Sequence, residues 1–314
     1  MKQIGLVGFN SENFKSLQRK YKNLNFVKLN KLNSKNLKDL IALVAFDFEK
    51  INKFLISRSY TKLKNLKWVH VPIAGVDKYS HLFDDMKFIL TCGKRINDLN
   101  VAEHCLALIL FLSRQLKFVK DKNDNKINKR PIEINQKKAL IIGYGGIGKK
   151  ISFLLKEMGT EIDAIKLHRN KQKSKYINNF FLIKDLKKIV FQYDIIIISI
   201  ALTSLTKGII NYEVFSKLNK HVILVNVSRS DIINEDDFSN FLKSEKYYGV
   251  GVDVLRSNKL KKYFNSKDKN LIYSSHTAGL TDNFSRRLAL IDKNLSKFDL
   301  GKTLINKVNY IKGY

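Results

Sequence analysis

The chain has 314 residues, enough for two domains of ordinary size, and a hydrophobic content of 44% that can fill two cores. Its formal net charge of +30 is carried by lysines scattered through every segment without aromatic interleaving, which reads as compositional drift and argues against a nucleic-acid partner. No apolar run approaches the ~20 residues of a membrane span. Met1-Lys2 runs into an apolar strand with no signal-peptide cleavage site, and Cys92 and Cys105 make neither a disulfide framework nor a metal site. A cytoplasmic protein with buried, inert thiols, no bound metal and no membrane association is therefore expected.

Taken in chain order, Gln3–Phe9, Phe26–Leu29, Ile41–Phe46, Trp68–Val71 and Phe88–Thr91 are apolar runs of strand length. Polar amphipathic stretches such as Glu12–Tyr21 and Glu49–Arg58 separate them, so this block reads as a small parallel sheet covered by helices. Asn100–Lys117 predicts a long helix, apolar nearly all round, that packs on both sides. Lys120–Lys138 is polar and proline-bearing and reads as a loop. A second alternating block follows, with strands at Ala139–Ile142, Glu161–Lys166, Ile195–Ile200, Val222–Val227, Gly249–Val254 and Leu271–Ser275, and a final helix over Thr281–Leu300.

The most informative motif opens this second block. Gly143, Gly145 and Gly148 form G-x-G-x-x-G between the apolar run 139–142 and an amphipathic helix over Ile147–Met158. In that strand–turn–helix context the first glycine makes the turn, the second admits a pyrophosphate and the third packs helix on strand. Gly143, Gly145, Gly146, Ile147 and Gly148 are therefore expected to bind a dinucleotide, with the helix N-terminus aimed at its phosphates. An acid at the end of the next strand would hydrogen-bond the ribose of NAD, whereas an arginine accommodates a 2′-phosphate. Here that end reads Lys166-Leu167-His168-Arg169-Asn170 with no carboxylate; Arg169, with His168 beside it, favours NADP(H) over NAD(H).

Further segments carry a resemblance. Leu66-Lys67-Trp68-Val69-His70, Ala74-Gly75-Val76-Asp77 and Val101-Ala102-Glu103-His104 lie upstream of the glycines. Downstream are Ala201–Ile210, Val225-Asn226-Val227-Ser228-Arg229-Ser230, Gly251-Val252-Asp253-Val254 and Ser274-Ser275-His276-Thr277-Ala278-Gly279. Together, in this order, they resemble the D-isomer-specific 2-hydroxyacid dehydrogenases, and around Trp68 the shorter glyoxylate/hydroxypyruvate reductases.

The resemblance implies two doubly wound parallel-sheet α/β domains: a Rossmann cofactor domain (99–277) inserted into a flavodoxin-like substrate domain (1–98 plus 278–314), with the cofactor in the cleft. It implies hydride exchange between a nicotinamide and a small 2-keto or 2-hydroxy acid, and a homodimer. Arg229 would fork onto the substrate carboxylate. His276 would be the acid in reduction and the base in oxidation. Gly75 and Val76 would offer backbone N–H groups to the same carboxylate. Thr203 and Val227 would line the cofactor site, Asp253 would hold the nicotinamide amide, and Glu103 and His104 would be structural.

The chain departs from the family at three places. A glutamate that pairs with the histidine is replaced, in register, by Asn258, which can orient the ring but supplies no charge. Ser230 stands where the family has glycine after the arginine, and would be strained if that position needs a positive φ. Ser275 stands where the family has proline. These departures leave a second reading open, a catalytically weakened, nucleotide-binding scaffold or corepressor-like protein of the same fold.

Overall fold

In the computed structural model the chain forms two units, Met1–Ile96 with Thr281–Tyr314, and Asn97–Leu280. The structure describes residues 2–30, 32, 37–118, 130–168 and 173–310.

The first unit is built on five parallel strands, β1 (Lys2–Val7), β2 (Leu24–Leu29), β3 (Leu40–Ala45), β4 (Trp68–Val71) and β5 (Ile89–Cys92), in the order β2-β1-β3-β4-β5. The central strands β1, β3 and β4 are largely apolar on both faces, as parallel strands covered by helices must be, while the edge strand β2 exposes Asn25 and Lys28. Helix α1 (Ser11–Lys20) starts where the Asn10 side chain accepts the N–H of Asn13, and α2 (Phe48–Ile56) where Asp47 accepts that of Lys50. A C-terminal helix, Ser285–Asp299, buries Ile291 and Leu295 in one cluster with Phe26, Val44 and Trp68. It begins four residues later than the sequence pattern predicts, because Asn283 takes up the N–H of Ser285 in a preceding turn.

The second unit contains α3 (Asp98–Ser113), β6 (Lys138–Ile142), α4 (Gly146–Glu157), β7 (Glu161–Lys166), β8 (Phe180–Leu182), α5 (Leu186–Ile189), β9 (Ile195–Ile198), α6 (Tyr212–Phe215), β10 (Ile223–Asn226), α7 (Glu235–Ser244), β11 (Gly249–Val252), α8 (Asn258–Phe264) and β12 (Leu271–Tyr273). Its seven strands are parallel in the order β12-β11-β10-β9-β6-β7-β8, so the chain reverses direction across the sheet between β6 and β9. Ligands of such sheets sit at the carboxyl ends of the strands beside that reversal. Helix α3 packs Leu108 and Leu112 against the glycines of β11. It ends at Ser113 rather than Lys117 because Gln115 is left-handed, at φ 56°. Both cysteines are buried, and burial pushes their thiols up. No described helix is long and apolar enough to cross a membrane.

The first unit buries a histidine, His70, completely. The Trp68 indole N–H donates to Thr91 Oγ1 at 2.8 Å, and the same hydroxyl meets His70 Nδ1 at 2.9 Å. Burial, reinforced by the charge of Arg287, lowers the His70 pKa from 6.5 to about 3. The unfolded chain binds this proton below pH 6.5 and the folded chain does not, so the stability it contributes is full above 6.5 and is lost as pH falls toward 3. Urea unfolding should show a loss of about 2 kcal/mol between pH 7 and 5 that disappears from the pH slope of His70→Leu. Identical slopes for the two proteins would contradict this assignment.

Candidate active site

The glycine turn separates into positions that the protein itself demands and one that it does not. Gly143 follows β6 at φ 105°, and a Cβ there would lie 2.5 Å from the backbone of Ile200. Its N–H donates to Ile165 O and its carbonyl accepts from Ser199 Oγ, so the turn is pinned to both flanking strands. A Cβ at Gly148 would strike the Gly143 carbonyl, and one at Gly146 would strike the Asp98 carboxylate. Ile147 packs into the core beneath α4. Gly145 is different: its φ of −85° suits any residue, and no described residue lies within 4 Å of its Cβ position. That open space, at the uncapped N-terminus of α4, fits the approach of a dinucleotide pyrophosphate.

The end of β7 is occupied by a lysine. Lys166 is the last residue of the strand and is 8% exposed, with Nζ 3.5 Å from the centre of the Phe180 ring and 5.9 Å from that of Tyr144. Burial, and secondarily the charge of Lys149, hold its ammonium below the usual lysine range. His168 is exposed beyond the strand, and Arg169 lies outside the described residues. The strand register thus puts Lys166 where an NAD-type acid would stand, a position that sequence reading passes over in so lysine-rich a chain.

Beyond the sheet reversal, the ends of β10 and β11 are joined by hydrogen bonds that run through the candidate catalytic residues. Asn226 is fully buried; its amide donates to Arg229 O at 3.1 Å and accepts the N–H of Ser228 at 3.0 Å. Its backbone carbonyl accepts the N–H of Asp253 at 2.9 Å, and the carbonyl of Asp253 accepts that of His276 at 2.6 Å. Arg229 is half-buried with extended backbone, and its Nη1 donates to Ser228 O at 3.0 Å. The Asp253 carboxylate, 2% exposed, accepts at Oδ1 from Ser274 Oγ (2.7 Å), Thr277 N (2.9 Å) and Ala278 N (3.2 Å). The loop it holds carries Ser275 and His276 in the left-handed region, at φ 54° and 62°. Such backbone costs roughly 1–2 kcal/mol per residue for an L-amino acid. His276 itself is exposed, and its ring has no hydrogen bond among the described residues.

Several expectations change here. Asn258 is the exposed first residue of α8 and makes no hydrogen bond to His276, so the expected amide–imidazole pair is not formed. A helix starting at 258 directs that stretch along its own axis, with Ser257 donating to Glu235 instead. Ser230 does not have a positive φ; it opens a 3₁₀ turn, so no strain attaches to the loss of glycine. Ser275 is more than a lost proline, because proline is fixed near −65° and cannot occupy φ 54°. Asp253 is primarily a loop clamp, and only Oδ2, with one long contact to Ala278 N at 3.3 Å, has capacity for a nicotinamide amide. The Thr203 N–H is taken by Thr206 Oγ1 at 2.8 Å, so this amide is not free for a cofactor. Val227 is 6% exposed and donates to Ile198 O. Gly75 and Val76 belong to the first unit, after β4, where Val76 O accepts the N–H of Tyr79.

The family model described as "D-isomer specific 2-hydroxyacid dehydrogenase, NAD binding domain" matches residues 105–278. A human glyoxylate reductase/hydroxypyruvate reductase is 31% identical over 116 residues, 36% of this chain and 34% of that enzyme, so the match spans about a third of the relative. Among solved structures, a D-isomer specific 2-hydroxyacid dehydrogenase family protein from Aeromonas salmonicida superposes with a TM-score of 0.81 at 20% identity, covering 98% of this chain and 99% of that one. An NADPH-dependent glyoxylate/hydroxypyruvate reductase from Sinorhizobium meliloti, solved with NADP and sulfate, gives 0.80 at 19% identity, covering 100% of both chains. At these identities the structural likeness establishes the fold.

The glycines separate stability from binding. Gly148→Ala should cost about 2–4 kcal/mol in urea unfolding, because backbone must move to admit the methyl group. Gly145→Val should leave stability within about 0.5 kcal/mol yet weaken NADPH binding measured by nucleotide fluorescence. Unchanged NADPH affinity in Gly145→Val would remove the phosphate role assigned to this turn.

Proposed function

The chain belongs to the D-isomer specific 2-hydroxyacid dehydrogenase family, and we propose that it reduces a small 2-keto acid to the D-2-hydroxy acid with NADP(H) as cofactor. The observation that carries this reading is that Arg229 and His276 are tied to adjoining strand ends through Asn226 and Asp253. An anion binder and a proton carrier are thereby anchored on one rigid frame.

Each residue has a role that its chemistry suits. The planar guanidinium of Arg229 forks onto the substrate carboxylate and draws charge from the adjacent keto oxygen. A reduced nicotinamide held by the turn after β6 and the end of β7 would supply the hydride. His276 as imidazolium delivers the proton to the keto oxygen and keeps the imidazole; in oxidation it takes that proton back.

The preference for NADP(H) rests on Lys166 more than on Arg169. A lysine at the end of β7 cannot accept a hydrogen bond from the ribose 2′-OH, but it attracts a 2′-phosphate. Gly143, Gly145 and the first turn of α4 would hold the pyrophosphate, with His168 beside the adenosine ribose. A homodimer belongs to the same family-based proposal. A non-catalytic, nucleotide-binding scaffold is the second reading, favoured by the absence, among the described residues, of a side-chain partner for the His276 ring.

Glyoxylate, hydroxypyruvate and pyruvate, each offered with NADPH and NADH, test the proposal. At least one should be reduced, with NADPH giving the higher kcat/KM. His276→Gln should lower kcat roughly 10²- to 10⁴-fold with NADPH affinity unchanged. Arg229→Lys should act mainly on the keto-acid KM. NADPH binding without turnover of any of the three acids would favour the scaffold. Lys166→Asp should shift the NADPH/NADH ratio of kcat/KM toward NADH by roughly 10- to 150-fold, the worth of a hydrogen bond to a charged group. A wild-type preference for NADH would overturn the cofactor assignment.

A further inference from the structure

We propose that His104 and Ser274 are positioning residues for His276, acting on it through Asp253; this rests on the reading of His276 as the proton carrier. His104 lies on α3 and is 170 positions from Ser274 in the chain, yet its Nε2 is 2.7 Å from Ser274 Oγ. Ser274 Oγ is in turn 2.7 Å from Asp253 Oδ1, and His104 Nε2 is 3.7 Å from the same oxygen. The direction of the chain of hydrogen bonds follows from the number of protons. Ser274 has one hydroxyl proton, and it goes to Asp253 Oδ1, which already accepts the N–H groups of Thr277 and Ala278. The oxygen of Ser274 must then accept, so His104 carries its proton on Nε2 and donates it.

The effect reaches His276 from both sides along the backbone. Its own N–H is held by Asp253 O at 2.6 Å, and the next two N–H groups are held by the Asp253 carboxylate. These bonds keep Ser275 and His276 in a backbone conformation that L-residues avoid. The Asp253 carboxylate keeps its orientation because Ser274 holds it and His104 holds Ser274. Without that hold, the carboxylate turns, the two left-handed residues relax to ordinary backbone, and the exposed imidazole leaves its direction. His104 and Ser274 touch neither substrate nor cofactor in this account.

The test uses His104→Ala, His104→Gln, Ser274→Ala and Ser274→Thr, with two readouts. In steady-state reduction of glyoxylate by NADPH, the two alanine variants should lose roughly 10- to 100-fold in kcat, the scale of an ångström-sized misplacement, with KM for glyoxylate little changed. Ser274→Thr, which keeps the hydroxyl, and His104→Gln, which keeps a donor, should recover most of the loss. The imidazole proton resonance of His276, one of six histidines and assigned by its disappearance in His276→Gln, reports without turnover. It should move in both alanine variants and stay in place in Ser274→Thr. Unchanged kcat and an unmoved His276 resonance in both alanine variants would overturn the proposal. If the wild-type protein reduces no 2-keto acid, the catalytic reading fails, while the resonance alone still decides whether His104 and Ser274 position His276.

Discussion

The burial of one carboxylate is the constraint on which the candidate site depends. Asp253 is 2% exposed and would be costly to bury without partners. It receives one hydroxyl and two backbone N–H groups at Oδ1, all from residues 274–278. Because those donors come from the loop that carries His276, satisfying the carboxylate and shaping the loop are the same event. Leaving such a donor unsatisfied costs about 1–3 kcal/mol each, so the loop has little freedom to depart. Asn226 extends the frame to Arg229, and the two residues proposed to handle the substrate are fixed by a single set of bonds.

A second constraint shapes the nucleotide end. The turn after β6 is so close to Ile200 that only glycine fits at 143, and the helix is so close to the turn that only glycine fits at 148. Those two positions would be glycine in a protein that bound nothing. Gly145 has open space around it and no backbone reason to be glycine, which makes it the better witness to a visitor. Lys166 and Lys149 make the end of β7 positive where an acid would have selected NAD. The excess of +30 over the whole chain obscures this local arrangement rather than revealing it.

Much of this could be read from the residues alone, because the signals are local. Four consecutive isoleucines at 195–198 can only be a strand buried on both faces, and the glycine spacing at 143–148 needs no long-range information. The half-buried edge strand Phe180–Leu182 escapes notice because three residues carry no periodicity. The end of α3 and the turn at Ser275 escape because each uses a non-glycine residue at positive φ, for which no residue type is a signal. The Asn258–His276 pair failed for a tertiary reason: register along the chain does not show that a helix starts at 258. The bond between His104 and Ser274 was equally hidden, since residues on a helix and on a distant loop have no pattern in common.

On the proposed reading, positioning by Asp253, a carboxylate-matching arginine and a solvent-accessible imidazole would make a site that hands a proton to a carbonyl while a hydride arrives from NADPH. The most direct measurement of that claim is to supply NADPH deuterated at the transferred position together with hydroxypyruvate and to analyse the product. The account predicts glycerate of D configuration carrying one deuterium at C2, formed in step with NADPH consumption. NADPH that binds but is consumed with none of glyoxylate, hydroxypyruvate and pyruvate, or product of L configuration, would contradict it.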